Sequence, residues 1–135
     1  MEKLIETARQ AMDQAYTPYS EYGVGAALET TGSEIYTGCN IEVANYSNTI
    51  HAEEIALSKA VLEGHKEFSA LAITSSAQEG NPPCGMCRQS LREFCAPDFP
   101  IYVDKGATTA SYDLGTLLPD AIDQTDLNTD EKPSQ

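Results

Sequence analysis

Leu71-Ala72-Ile73-Thr74, the polar loop from Ser75 to Pro82, and then Pro83-Cys84-Gly85-Met86-Cys87 form the stretch on which the fold turns. The apolar run reads as a buried strand, after which the chain enters a helix that begins at Pro83 or Cys84 and runs to about Phe94. Upstream, Thr49 is placed to cap a helix with an apolar face of Ala52, Ile55, Ala56, Ala60 and Val61, ending at Gly64. His51 and Glu53 fall in its first turn. Downstream, Phe99 to Val103 reads as a strand and Thr109 to Tyr112 as a weaker one, and Leu114 to Leu118 makes one helical turn before Pro119.

The N-terminal part supplies the remaining elements. Leu4, Ile5, Ala8, Ala11, Met12 and Ala15 recur at helical spacing over residues 2–16, and Thr17-Pro18-Tyr19-Ser20 ends that helix because a residue before proline is pushed out of helical geometry. Tyr22 to Leu28 and Glu34 to Thr37 flank Thr31-Gly32, the pattern of two strands and a tight turn. Val43 to Asn48 is polar and without period, a loop of the kind that carries function. The order α, β, β, α, β, α, β, β predicts an α/β fold, with a mixed sheet between helices. The opening hairpin should be antiparallel and strands separated by helices parallel. His51 and the two cysteines then lie at helix N-termini near the carboxyl ends of strands, where such sheets bind ligands.

A chain of 135 residues makes one domain that can bury a core without disulfides. It is expected to fold over residues 1–122, with 123–135 an acidic, mobile tail. No basic, apolar leader opens the chain and no apolar run is long enough to cross a bilayer, so a cytoplasmic protein with no membrane partner is expected. Eight Lys and Arg against 21 Asp and Glu give a formal charge of −13 and a pI near 4.3. A surface this negative repels phosphate backbones and argues against a nucleic-acid partner. It is a solvated surface that would suit high salt, where screening weakens self-repulsion.

The chemistry centres on His51-Ala52-Glu53 and Pro83-Cys84-Gly85-Met86-Cys87. One histidine and two cysteines are ligand types that Zn²⁺ prefers over magnesium or manganese, and three ligands leave a tetrahedral position for water. Glu53 adds a carboxylate able to carry protons beside that position. Helix N-termini favour negative charge, so thiolates at Cys84 and Cys87 are expected to be stabilised before metal binds. Cys39 and Cys95 read as buried small hydrophobes. Two alternatives stand beside catalytic zinc. A C-x-x-C after a strand also suits a thiol–disulfide redox pair, which leaves His51-Ala52-Glu53 unexplained, and a structural zinc site lacks a fourth ligand.

H-x-E with P-C-x-x-C is a known signature of zinc-dependent nucleobase deaminases. Over nearly its whole length the chain resembles the short, single-domain class of cytidine deaminases. The resemblance is carried by Pro18-Tyr19-Ser20, Val24-Gly25-Ala26-Ala27-Leu28, Gly38-Cys39-Asn40-Ile41-Glu42, His51-Ala52-Glu53, Pro83-Cys84-Gly85-Met86-Cys87-Arg88-Gln89 and Leu117-Leu118-Pro119. It implies a three-layer α/β/α sandwich with a mixed five-stranded sheet, a homotetramer with sites completed across subunits, and deamination of cytidine or 2′-deoxycytidine in pyrimidine salvage. It makes His51, Cys84 and Cys87 the ligands of one zinc ion per chain and Glu53 the proton carrier. Asn40 and Glu42 would hold a ribose hydroxyl, Tyr22 would wall the base pocket, Ala52 would offer its backbone N–H to the base, and Tyr46 would approach the ribose from a neighbouring subunit.

Two positions depart from the short class. Its members usually read Cys-Ala-Glu-Arg where this chain reads His51-Ala52-Glu53-Glu54. Three thiolates around Zn²⁺ leave one net negative charge that an adjacent Arg offsets, whereas one neutral His and two thiolates leave none, so the two changes are expected to be coupled. A histidine ligand also resembles the longer, dimeric class. Ile122 stands where the family tends to place an aromatic over the base. Blasticidin-type deaminases share P-C-G-M-C-R and lack the Arg, which makes a cytosine-containing antibiotic the second substrate reading; Asn40 with Glu42 argues for the plain nucleoside.

Overall fold

The computed structural model describes residues 1–77 and 80–127. Five strands, β1 (Val24–Thr30), β2 (Ile35–Cys39), β3 (Phe68–Ser75), β4 (Pro100–Asp104) and β5 (Thr109–Asp113), form one sheet in the order β2-β1-β3-β4-β5. The β3–β4 pair is parallel and the others are antiparallel. The mixed sheet is as expected, but β3 does not add beside β2. The helix between them, α2 (Ala52–Leu62), crosses over both β2 and β1, so β3 lands on the far side of β1 and runs antiparallel to it.

Strand alternation sorts side chains into two layers of unequal bulk. Ala26, Leu28, Leu71, Ile73, Ile101 and Val103 face α2 and α3 (Gly85–Arg92), while Ala27, Ala70 and Ala72 face α1 (Glu2–Met12). The large aliphatic layer is the main source of stability, at about 1.5–3 kcal/mol for each fully buried side chain. Small residues on the α1 side let that helix lie close. A Cβ on Gly25 would sit 2.1 Å from the Ala8 carbonyl oxygen.

Helix α1 ends at Met12, earlier than its apolar spacing predicts. The following residues are needed as extended backbone: Tyr16 donates its N–H to the Asn40 carbonyl (3.0 Å) and accepts the Glu42 N–H (2.8 Å). The cap of α2 also differs from expectation. His51 itself, not Thr49, is the N-cap, and the Glu54 carboxylate accepts the His51 backbone N–H at 2.9 Å, a capping-box bond. Gly64 follows the helix with φ of 95°, the left-handed end expected of it. After α4 (Leu114–Leu117), a further short helix, α5 (Gln124–Leu127), forms where a mobile tail was expected. Asp123 pairs with Arg92 (2.9 Å) and Gln124 donates to the Glu93 carbonyl (3.2 Å), which fixes this segment to the end of α3. The remainder of the predicted tail, 128–135, lies outside the described residues.

Candidate metal centre and substrate cavity

The N-terminal ends of α2 and α3 meet beside the carboxyl ends of β2 and β3. His51 and Cys84 are the two N-cap residues, and Cys87 is one turn into α3. The imidazole presents Nδ1 to both sulfurs, 3.2 Å from Cys87 Sγ and 3.4 Å from Cys84 Sγ, and the three ligand atoms lie within 4.8 Å of one another. Bond lengths of 2.0–2.1 Å for nitrogen and 2.3 Å for sulfur in a tetrahedral site put such atoms about 3.6 Å apart, so the trio fits zinc closely. Among the described residues no other group of three potential ligands comes together.

Neighbouring contacts hold each ligand in place. Glu54 fixes the His51 backbone through the capping-box bond. Arg88 donates to the Pro83 carbonyl (2.5 Å) and the Leu117 carbonyl (2.8 Å), tying the segment before Cys84 to α4. Cys84 is exposed, whereas Cys87 is buried. That burial reverses the expectation drawn from the helix terminus. Desolvation, and then the charges of Glu53 and Cys84, push the Cys87 thiol well above its ordinary value. Zinc binding must therefore displace a proton from Cys87. Cys95 is buried and its thiol is pushed up to about 12 by that burial, as befits a core residue, while Cys39 is only partly covered.

A cavity of about 260 Å³ opens beside the trio, and Tyr22, Val24, Asn40, Ala52, Glu53 and Ile73 are part of its wall. Glu53 is 7 % exposed and does not join the ligand trio. Burial raises its carboxyl pKa, against the opposing pull of its own backbone N–H and of His51. A carboxyl so raised is suited to taking up and releasing a proton.

The other expected contacts divide. Asn40 lines the cavity and also fastens the start of β1, accepting the Val24 N–H and donating to the Tyr22 carbonyl, both at 2.9 Å. Glu42 is not part of the cavity wall. Its carboxylate accepts the Ser20 hydroxyl and the backbone N–H groups of Tyr19 and Ser20, and these bonds, the Ser20 hydroxyl foremost, hold its pKa low. Tyr46 points outward, 57 % exposed and edge-on to Tyr19. Ile122 is 64 % exposed, and its carbonyl accepts a bond from Gln89. Ser75, Asn81 and Pro82 also line the cavity and were not singled out from the sequence, and Thr49, read from the sequence only as a helix cap, lines it too. For Ser75 the period of the strand, on the same face as Leu71 and Ile73, was the available signal.

Comparison with known proteins points the same way. The family model described as the cytidine and deoxycytidylate deaminase zinc-binding region matches residues 1–103. A cytidine deaminase of Sporosarcina psychrophila is 43 % identical over 130 residues, covering 95 % of both chains. One from Halalkalibacterium halodurans is 39 % identical over 126 residues, covering 93 % of this chain and 96 % of that one. Among solved structures, the cytidine deaminase of Burkholderia pseudomallei superposes with a TM-score of 0.84 at 37 % identity, covering 90 % of this chain and 98 % of the other.

Proposed function

The chain belongs to the cytidine and deoxycytidylate deaminase zinc-binding family, in its short form, and from that premise we propose how its residues divide the reaction. The protein is a zinc-dependent cytidine deaminase, with His51, Cys84 and Cys87 holding the metal. Bound zinc supplies a Lewis acid that makes water a usable nucleophile near neutral pH. Glu53 takes a proton from the attacking water and delivers it to N3 of the cytosine, so that C4 accepts the new C–O bond. The carboxylate so regenerated takes the remaining proton from the new C4 hydroxyl and passes it to the exocyclic nitrogen, so that the C4–N bond breaks as the C4 carbonyl forms, giving uridine and ammonia. The observation that carries this division is the buried Glu53 beside the ligand trio, in the same cavity but outside the trio.

Tyr22 walls the base and the Ala52 N–H, in the unpaired first turn of α2, bonds it. Asn40 and Glu42 hold the ribose hydroxyl; the place of Asn40 in the cavity supports its part, and Glu42 also anchors the loop that carries Tyr22. Tyr46, exposed and held in left-handed backbone (φ 51°), serves the ribose site of a neighbouring subunit in a homotetramer. The test is the ultraviolet absorbance change of cytidine on conversion to uridine. Glu53→Gln should retain one zinc per chain and lose about 10²–10⁴-fold in kcat. A fully active variant would remove Glu53 from the mechanism. 2′-Deoxycytidine should be converted in the same assay, consistent with cytoplasmic pyrimidine salvage.

The formal charge of −13 supports adaptation to high salt. Melting temperature should rise through a KCl series as screening relieves self-repulsion, and a flat series would count against the adaptation.

A further inference from the structure

Three consecutive hydroxyl residues, Thr74, Ser75 and Ser76, close strand β3 and open the turn after it. Thr74 turns to the α1 face and donates to the Asp104 carboxylate at 2.8 Å, and Ser76 accepts the Gly23 N–H at 3.0 Å. Ser75 lies between them and faces the other way, on the side of Leu71 and Ile73, paired with Val24 across the sheet. It lines the cavity that also holds His51, Ala52 and Glu53. The residue is 4 % exposed, yet among the described residues its hydroxyl has no hydrogen-bond partner, and no other buried side-chain nitrogen or oxygen shares that condition. Buried hydroxyls are nearly always paired, so an orphan in a substrate cavity points to a ligand as its partner.

We propose that Ser75 is a substrate-contacting residue whose hydroxyl hydrogen-bonds the polar edge of the pyrimidine in the cavity beside Glu53. A hydroxyl both donates and accepts, and the cytosine edge carries a carbonyl oxygen, a ring nitrogen and an exocyclic nitrogen, so either polarity finds a match. Alanine would fill almost the same space with no unmet bond. The hydroxyl is therefore explained by what it binds. The inference rests on the cytidine deaminase reading of the site.

Ser75→Ala and Ser75→Cys are compared with the parent for zinc per chain, ligand-free melting temperature, kcat/KM for cytidine, and calorimetric affinity for uridine. Zinc content should be unchanged and the melting temperature equal or higher. Both kcat/KM and uridine affinity should fall about tenfold, the worth of one hydrogen bond. Ser75→Cys, close in size but weak as a hydrogen-bonding group, should behave like the alanine variant and so exclude volume as the cause. Values within twofold of the parent would overturn the proposal in favour of a hydroxyl met only by water. A lowered melting temperature accompanying the loss of activity would overturn it in favour of a structural role. Failure of the parent itself to convert cytidine would instead sink the deaminase reading, and the proposal with it.

Discussion

Replacing Gly38 by alanine tests whether the contact between β2 and α2 sets the geometry of the metal centre. A Cβ at Gly38 would lie 2.2 Å from the Ala52 carbonyl oxygen and 2.8 Å from the Ala56 nitrogen. Both are backbone atoms in the first turns of α2, next to His51 and Glu53, so no side chain can rotate away. Restoring ordinary contact requires the helix to move by roughly 1 Å. Overpacking against backbone costs about 3 kcal/mol, which for a chain of this length lowers Tm by roughly 10 °C. A misplacement of about 1 Å can cost on the order of 10²-fold in rate, so kcat should fall even in the fraction that stays folded. Gly25→Ala is the matched control. Its Cβ meets the Ala8 carbonyl oxygen at 2.1 Å, an equal clash against α1 in the opposite layer, and it should cost similar stability with little change in kcat per folded molecule. Gly85→Ala, beside Cys84 but with nothing within 4 Å, should be neutral. The assay is thermal melting with cytidine kinetics normalised to zinc-loaded protein. If Gly38→Ala and Gly25→Ala lose stability equally and neither loses kcat, the packing of α2 on β2 does not position the site.

His51→Cys should still load zinc but work poorly, because it adds a negative charge beside Glu53 and Glu54; adding Glu54→Arg should recover activity, and equal activity in the single and double variants would refute the coupling. Glu54→Arg alone should destabilise by about 1 kcal/mol in urea unfolding, since it removes the capping-box bond to His51. The Asp104 carboxylate accepts bonds from Arg9, Thr74 and the Gly106 N–H, and the Arg9 bond above all holds its pKa down at about 2, below the ordinary 3.8. Its stabilisation is therefore present above that ordinary value and is lost as pH falls from there through about 2. With Arg9 45 % exposed, the contribution is about 1–2 kcal/mol, so Asp104→Asn should lower the urea midpoint at neutral pH and flatten its decline below about pH 4. Parallel pH profiles for variant and parent would contradict this.

Local pattern made much of the molecule readable. The spacing of Leu4, Ile5 and Ala8 gave α1, the apolar run from Leu71 to Thr74 gave β3, and His51-Ala52-Glu53 with Cys84 and Cys87 gave the metal centre, because each depends on residues within one or two turns of chain. Boundaries were less readable. Helix α1 stops at Met12 because Tyr16 is recruited by Asn40 and Glu42, partners far along the chain. The residue type at position 54 pointed to a charge balance, whereas its observed contact is a backbone cap, a distinction that needs the helix start to within one residue.

By itself the sequence determined the layer architecture and the ligand trio, since periodicity and ligand chemistry are local properties of side chains, and its resemblance to the cytidine deaminases implied the class of reaction. Tertiary structure decided the rest: that β3 crosses past β1, that Cys87 is buried deeply enough for desolvation to outweigh the helix terminus, that Glu42 turns to the Ser20 loop, and that Ser75 faces the cavity without a partner. Each of these depends on which atoms surround a group once the chain is packed, and burial and hydrogen-bond partners are set by residues distant in sequence.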